Sequence, residues 1–294
     1  ESCGTPDLTQ NAITVLERRY LKKDAETGEV IETPKQLFWR VASHVAKAEL
    51  AYAPGNYERA MAVATEFYDL MATRMFLPNS PCLMNAGREM GMLSACFVLP
   101  VEDSIEGIFE AIKATALIQK AGGGTGFSFS RLRPKGDIVT SSGGTTEGPM
   151  SFIEVFSKAT DAIQQGAFRR GANMGMMRVD HPDIHTFITF KDDPTRLTNY
   201  NISVAVTDKF LEDLKADPTA IHKVQNPRSG KWTSLAKEGG EGEFWKVGEL
   251  WDMIIEHAHR SGEPGVIFID RINQQNPIKN VGTIEATNPC GEQP

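Results

Sequence analysis

The sequence predicts an α/β fold with a largely parallel sheet, preceded by a helical region. Two observations carry this. The first 75 or so residues show helical periodicity, and from Phe76 onward short strand-like runs alternate with helices and Gly-rich turns. Composition agrees: 40% of the 294 residues are hydrophobic and 23% charged, which excludes disorder, collagen-like structure and coiled coil as global descriptions.

The elements follow in order. Thr33-Pro34 sets an N-cap before Pro at the first helical position, and Leu37, Val41, His44, Val45 and Ala48 continue with helical spacing. A second helix is expected from Tyr57 to Met75. Pro78 and Pro81 bracket Asn79-Ser80, which predicts a rigid loop presenting the Ser80 hydroxyl. Ser94–Pro100 is strand-like. Ser104 starts a helix that runs to Ala121 and ends at Gly122. Strands are expected at 127–131, 173–179, 201–206 and 266–269, the last short and buried, and helices at 149–165, 208–216 and 247–260. Residues 226–242 read as a polar hairpin or loop. The resulting domains are 1–75, helical, and 76–294, α/β.

A net charge of −7 argues against nucleic acid as the main partner, because a polyanion needs a basic face. Local arginines and helix termini still hold small anions. No apolar run reaches membrane-span length, so no membrane partner is expected. Cys3, Cys82, Cys96 and Cys290 are too few and scattered for a disulfide scaffold, and no CxxC occurs. A reducing, cytoplasmic setting fits, and makes any functional cysteine a nucleophile or redox group.

The C-terminal run Asn288-Pro289-Cys290-Gly291-Glu292-Gln293-Pro294 carries the sharpest chemistry. An extended segment would project Asn288, Cys290 and Glu292 from one face. The carboxylate accepts a proton, the amide orients a hydroxyl, and the sulfur attacks or carries a radical. A polar turn with a buried cysteine is the plainer alternative. Cys96, in a run of small and apolar residues, reads on its own as a core residue. Gly122-Gly123-Gly124 follows a helix and precedes a strand, so it is not a dinucleotide fingerprint. It suits either a helix C-cap and turn or the close approach of a ligand. Gln165–Ala172 places Arg169 and Arg170 between glycines, as a mobile loop for phosphate or nucleobase or as a solvated basic turn. His181 and His185 have i, i+4 spacing without a third ligand nearby, and no metal site is expected.

In this order, PNSPCLMNAG, MLSACFVLPVEDSIEGIF, KAGGGTGFSFSRLRPKG, GPMSFIEVF, QQGAFRRGANMG, HPDI and NPCGE resemble the large catalytic chain of ribonucleotide reductases. The likeness is greatest to the class II branch, which uses adenosylcobalamin, and it covers about Leu77 through Pro294. The resemblance implies the first half of a ten-stranded α/β barrel with a catalytic finger loop. Within it Cys290 matches the thiyl-radical cysteine, Glu292 the acceptor of the 3′-hydroxyl proton, Asn288 a sugar ligand and Cys96 one member of the reducing cysteine pair. Ser80, Ala95 and Gly124 match positions around the substrate ribose and phosphate. Asp103, Ser104, Ile105 and Arg133 match the site of a deoxynucleoside triphosphate (dNTP) effector. Gln165, Arg169 and Arg170 match the specificity loop that connects the two sites.

The same resemblance implies a ribonucleoside di- or triphosphate substrate, a thioredoxin-type reductant and a homodimer. The second redox cysteine and the other half-barrel fall after Pro294 in the family, so the chain is expected to be a fragment or split half that needs a complementary C-terminal half. The readings set against this one are a class I large subunit with a metal-radical partner, and an inactive nucleotide-binding module.

Overall fold

The computed structural model describes residues 4–139, 143–163, 171–239 and 242–294. The chain divides into two compact units: Glu1–Ala95 with Ala121–Gly123, and Cys96–Lys120 with Gly124–Pro294.

The first unit is helical. It contains α1 (Gln10–Arg19), α2 (Pro34–Ala46), α3 (Glu49–Tyr52), α4 (Tyr57–Ala72) and α5 (Ser80–Asn85). The Thr33 cap is present as a full capping box. The Gln36 backbone N–H donates to Thr33 Oγ1, and Gln36 Oε1 accepts from the Thr33 backbone N–H. α2 and α4 share a core of Leu37, Phe38, Val41, Tyr68 and Met71, with the Trp39 and Tyr68 rings edge-to-face at 6.1 Å.

The pair Asn79-Ser80 departs from the expected loop. Asn79 is the N-cap of α5, accepting from the Cys82 backbone N–H at 2.9 Å, and Pro81 sits in the first turn. The prolines therefore start a helix, because a first-turn proline forfeits no helical hydrogen bond. Cys82, Leu83 and Ala86 join the helical core, so the 76–95 stretch belongs to this unit although the sequence texture changes at Phe76.

The second unit is an α/β layer. Its strands are β1 (Cys96–Leu99), β2 (Gly124–Ser128), β5 (Asn173–Arg178), β6 (Tyr200–Val206) and β9 (Gly265–Phe268). They form one five-stranded sheet in the order β1-β2-β5-β6-β9, parallel throughout. Two ribbons lie apart from it: β3 (Ile138–Val139) with β4 (Gly144–Thr145), and β7 (Lys223–Gln225) with β8 (Trp232–Ser234). The helices are α6 (Ile105–Lys120), α7 (Pro149–Ile163), α8 (Ile184–Ile188), α9 (Asp208–Ala216), α10 (Val247–Ser261) and α11 (Ile269–Gln274). No described helix is long and apolar enough to cross a membrane.

The two faces of the sheet differ because side chains alternate along each strand. Phe127 and Phe129 from the β2 segment, Met177 and Val179 from β5, and Ile202, Val204 and Val206 from β6 pack against Ile108, Ile153, Phe156, Leu250 and Ile254 of the helices. The opposite face carries Gly124, Gly126, Met174, Met176 and Ala205, and there Met174, Met176 and Ala205 cluster with Ile269 and Ala286. A five-stranded all-parallel sheet with α6, α7 and α10 on one face is the architecture expected of the first half of the barrel.

Two strands differ from expectation. β2 begins at Gly124, three residues before the expected 127, because two of its first three residues are glycines that strand propensity disfavours. β9 is half-exposed instead of buried, because it forms an edge of the sheet.

Candidate active site and nucleotide cavity

Cys96 is the first residue of β1 and pairs in register with Gly124 of β2. The segment that ends in the NPCGE motif lies along the sheet face opposite the helices. A Cβ at Gly126 would lie 1.7 Å from the Thr287 carbonyl oxygen, and one at Gly124 would lie 2.8 Å from Pro289 Cγ. Only glycines at alternate positions of β2 let the backbone come this close. Gly122 takes a left-handed φ of 92° just after α6, as a turn at the helix end requires, and what Gly124 admits is the chain's own 287–289 segment. β6 adds a tether, with Asn201 Nδ2 donating to the Pro289 carbonyl at 2.7 Å.

The motif itself is not extended. The Gly291 N–H donates to the Asn288 carbonyl at 3.1 Å, the Asn288 N–H donates to the Gln293 carbonyl at 3.0 Å, and Gly291 has φ 81°. It is a tight turn closed between residues 288 and 293, because Pro289 at the second position and Gly291 at the fourth favour a turn over a strand. Gln293 N–H also donates to Asn288 Oδ1 at 3.0 Å. Asn288 is fully buried, and its Nδ2 donates to Cys96 Sγ at 3.2 Å. The Cys96 thiol reaches Glu292 Oε1 at 4.0 Å. Cys290 is exposed at the tip of the turn.

Cys96, Asn288 and Glu292 are therefore brought together, with Gly124 beneath Pro289. Ser80 and Ala95 belong to the helical unit, where Ser80 Oγ shares a 2.9 Å hydrogen bond with Tyr20 Oη. Gln165, Arg169 and Arg170 lie outside the described residues.

On the helix side of β2, Thr125 starts a buried polar network. Asn173 Oδ1 accepts from Thr125 Oγ1 at 2.8 Å and from Gln119 Nε2 at 2.9 Å, and Asn173 Nδ2 donates to Thr160 Oγ1 at 3.0 Å. This ties α6, β2, α7 and β5 together at the strand ends that carry Gly124. Gln119 Oε1 is buried without a hydrogen-bond partner among the described residues.

A second site is a cavity of about 300 Å³ whose lining includes Asp103, Ser104, Ile105, Arg133, Val139 and Thr146. All four residues expected at an effector site line it. Ser104 Oγ accepts from the Gly107 N–H at 3.0 Å, so the N-terminus of α6, with its partial positive charge, opens on the cavity. Arg133 Nε donates to Asp103 Oδ2 at 2.8 Å, and its Nη1 donates to the Ile138 carbonyl at 3.0 Å. A bound anion would have to share or displace these contacts of Arg133.

The two histidines do not face one another across a helix turn. His181 donates through Nε2 to the Leu132 carbonyl at 2.9 Å and accepts from the Asp183 N–H at Nδ1, whereas His185 on α8 stacks on Trp245 at 4.8 Å. Burial pushes His181 below its usual value. Among the described residues no group of three or more His, Cys, Asp or Glu is placed to hold a metal.

Sequence reasoning missed Gly126, Asn201 and Pro289 as parts of the site. The signal for Gly126 was present: glycines at i and i+2 of a strand empty one face of it.

A five-stranded parallel α/β layer with a cysteine at the start of its first strand is approached by a folded cysteine-bearing turn, the architecture of a half-barrel. The comparisons fix the family. Residues 94–294 match the ribonucleotide reductase barrel domain, and residues 6–91 match the ribonucleotide reductase all-alpha domain. The chain belongs to the ribonucleotide reductase family. It is 46% identical over 98% of its length to a vitamin B12-dependent ribonucleoside-diphosphate reductase of Thermoplasma acidophilum, covering 43% of that protein. It is 45% identical over 98% of its length to one of the same name from Mycobacterium tuberculosis, covering 40% of it. Against a ribonucleoside-diphosphate reductase large chain of Neurospora crassa it is 28% identical over 94% of its length, covering 30% of that protein. The chain thus spans about two fifths of the B12-dependent relatives it matches.

Proposed function

We propose that this chain carries the radical-cysteine turn, one reducing cysteine and the effector cavity of an adenosylcobalamin-dependent ribonucleotide reductase. The observation that carries the reading is the hydrogen bond from Asn288 Nδ2 to Cys96 Sγ, with Glu292 on the same sulfur.

In this reading a Cys290 thiyl abstracts the 3′-hydrogen of the ribose while Glu292 accepts the 3′-hydroxyl proton. The 2′-hydroxyl leaves as water, protonated by the Cys96 thiol. Cys96 and a partner cysteine supply two electrons and close to a disulfide, after which the 3′-hydrogen returns from Cys290. Asn288 uses one N–H of Nδ2 to hold the Cys96 sulfur, and its second N–H is available to a sugar hydroxyl. Ser80, Ala95 and Gly124 contribute to ribose and phosphate binding.

Adenosylcobalamin, when bound, supplies the radical that oxidises a thiol to a thiyl. The exposure of Cys290 at the turn tip fits this role, since a radical source must reach that sulfur from outside the turn. The names of the relatives favour a diphosphate substrate. A thioredoxin-type reductant, a complementary C-terminal half, a homodimer and a cytoplasmic location complete the proposal. The cavity at Asp103, Ser104, Ile105 and Arg133 takes the dNTP effector, and Gln165, Arg169 and Arg170 relay its identity to the substrate site.

The test is turnover of ribonucleoside diphosphates by the complete reductase polypeptide with adenosylcobalamin and a dithiol. Cys290→Ser should abolish both product and exchange of the ribose 3′-hydrogen, and Cys96→Ser should abolish product. Turnover by Cys290→Ser, or activity that needs a metal-radical subunit and ignores adenosylcobalamin, would defeat the reading.

A further inference from the structure

The nucleotide cavity has two walls. One is the start of α6, from Asp103 to Ile108, and the other is the β3–β4 ribbon, which contributes Val139 and Thr146. The ribbon is short. Its closure rests on Gly136 N–H to the Thr146 carbonyl at 2.8 Å, Thr146 N–H to the Asp137 carbonyl at 3.0 Å, and the two-residue pairing of β3 with β4. Isolated two-stranded ribbons of this size are not stable on their own. Something outside the ribbon must hold it.

Asp183 Oδ2 accepts from the Lys135 N–H at the ribbon's base, and the β7–β8 hairpin holds the ribbon itself. Arg228 Nη2 donates to Asp137 Oδ1 at 2.6 Å, and Arg228 Nε donates to Asp137 Oδ2 at 2.8 Å, a bidentate fork. Asn226 Nδ2 adds a third bond to Oδ2 at 3.0 Å. The hairpin presents both residues rigidly, since Asn226 Oδ1 accepts from the backbone N–H of Arg228 and of Ser229, each at 3.0 Å. The Asp137 side chain is only 10% exposed. The Arg228 fork, joined by the Asn226 amide and the Ile138 N–H, holds its carboxyl well below the usual carboxylate range. From Asp137 the chain passes to Ile138, whose carbonyl accepts from Arg133 Nη1, while Arg133 Nε holds Asp103 on the opposite wall. Arg228 thus stands at one end of a continuous series, Arg228–Asp137–Ile138–Arg133–Asp103, that joins the ribbon to the Asp103 wall.

We propose that Arg228 is a positioning residue for nucleotide binding: it fixes the β3–β4 wall, and through it the Arg133 guanidinium, without lining the cavity itself. This rests on the reading of the cavity as a dNTP site. An exposed ion pair usually contributes little, but a bidentate fork on a largely buried carboxylate that also accepts two further bonds is geometrically fixed.

The test is equilibrium dialysis of dATP, dGTP, dCTP and dTTP against the complete reductase polypeptide, followed with the tightest of the four. Arg228→Ala should weaken binding about tenfold, and the loss should persist in 0.5 M salt, where a charge acting at a distance is screened. Arg228→Lys keeps the charge but not the fork, so it should resemble Arg228→Ala more than the parent. If Arg228→Ala does not fold, Arg228→Lys and Asn226→Ala, which removes the second holder of Asp137, decide the matter. Unchanged affinity in these variants, recovery in high salt, or parental behaviour of Arg228→Lys would overturn the inference. Arg133→Ala separates the two ideas. If it leaves nucleotide binding intact, the effector-site reading fails; if it abolishes binding while Arg228→Ala does not, the Arg228 inference alone fails.

Discussion

Asn288 and Cys96, separated by 192 positions in sequence, meet through a 3.2 Å hydrogen bond from Nδ2 to Sγ. The Asn288 side chain is fully buried, and its other end accepts from the Gln293 N–H. One amide therefore sets both the turn that carries Cys290 and the position of the Cys96 sulfur. Asn288→Ala should leave the Gln293 N–H without its partner and cost about 1–3 kcal/mol of stability. In the complete reductase, turnover should fall at least a hundredfold. A variant that melts slightly earlier yet turns over normally would show that the amide is structural only.

Gly126 and Gly124 offer a graded test. A methyl at Gly126 would sit 1.7 Å from a backbone oxygen, which cannot yield, whereas one at Gly124 meets Pro289 Cγ at 2.8 Å. Gly126→Ala should displace the 287–289 segment and abolish turnover, and Gly124→Ala should reduce it less. A melting-temperature series with activity on the same samples checks the order. Equal effects would mean that the close approach is not what sets the turn.

The Asn173 network should dominate stability on the helix side of the sheet. Asn173→Ala removes an acceptor shared by Thr125 and Gln119 and the donor to Thr160, all buried. Stranded buried polar groups cost about 1–3 kcal/mol each, so urea unfolding should show a loss of about 2–4 kcal/mol. A loss below about 1 kcal/mol would mean the network relaxes without it.

Burial holds His222 below the usual histidine value, and His222 Nε2 donates to the Val179 carbonyl at 2.8 Å. The unfolded chain takes up a proton near pH 6.5 that the folded chain refuses, so the unfolded state binds more protons below that pH. Stability from this group is complete above about pH 6.5 and declines as pH falls towards the folded value, by at most ~1.4 kcal/mol per pH unit. Urea unfolding at pH 7.0 and 5.5 should show the decline, and His222→Gln should reduce it, leaving the share of His181 and His185, which burial shifts in the same direction. An identical slope in the variant would assign the acid sensitivity to other groups.

Cysteine accessibility follows the fold. Cys82 is 7% exposed and burial pushes its thiol up, whereas Cys290 is exposed. Brief alkylation with mass mapping should label Cys290 well before Cys82. Comparable rates would show that the helical core opens readily.

Much of this architecture was legible in local pattern. The Thr33 capping box, the helix opened by Ser104 and the strand at 201–206 follow from cap chemistry and periodicity. What escaped were features set by distant partners. Nothing near Ser80 announces that Tyr20 holds its hydroxyl, although Asn79 with Pro81 in the first turn is itself a local helix-start signal. In the NPCGE segment the sequence leaves an extended run, whose residues two apart would share a face, and a polar turn both open. The turn brings Asn288 and Glu292 to Cys96 by folding back instead, which depends on β2 lying beneath it. The cysteine, amide and carboxylate were identified by their chemistry; their arrangement required the sheet.

The alternation along β2 has a consequence for how this strand tolerates change. Thr125 and Phe127 face helices: Phe127 sits where substitutions of similar volume can repack, and Thr125 admits those that keep a hydroxyl for Asn173. Gly126 faces a backbone carbonyl and Gly124 the ring of Pro289, neither of which has rotamers to give. Within four consecutive residues the strand thus switches, position by position, between sites open to gradual variation and sites where any added carbon is a discontinuity. A saturation library across 124–127 would read as a square wave of period two.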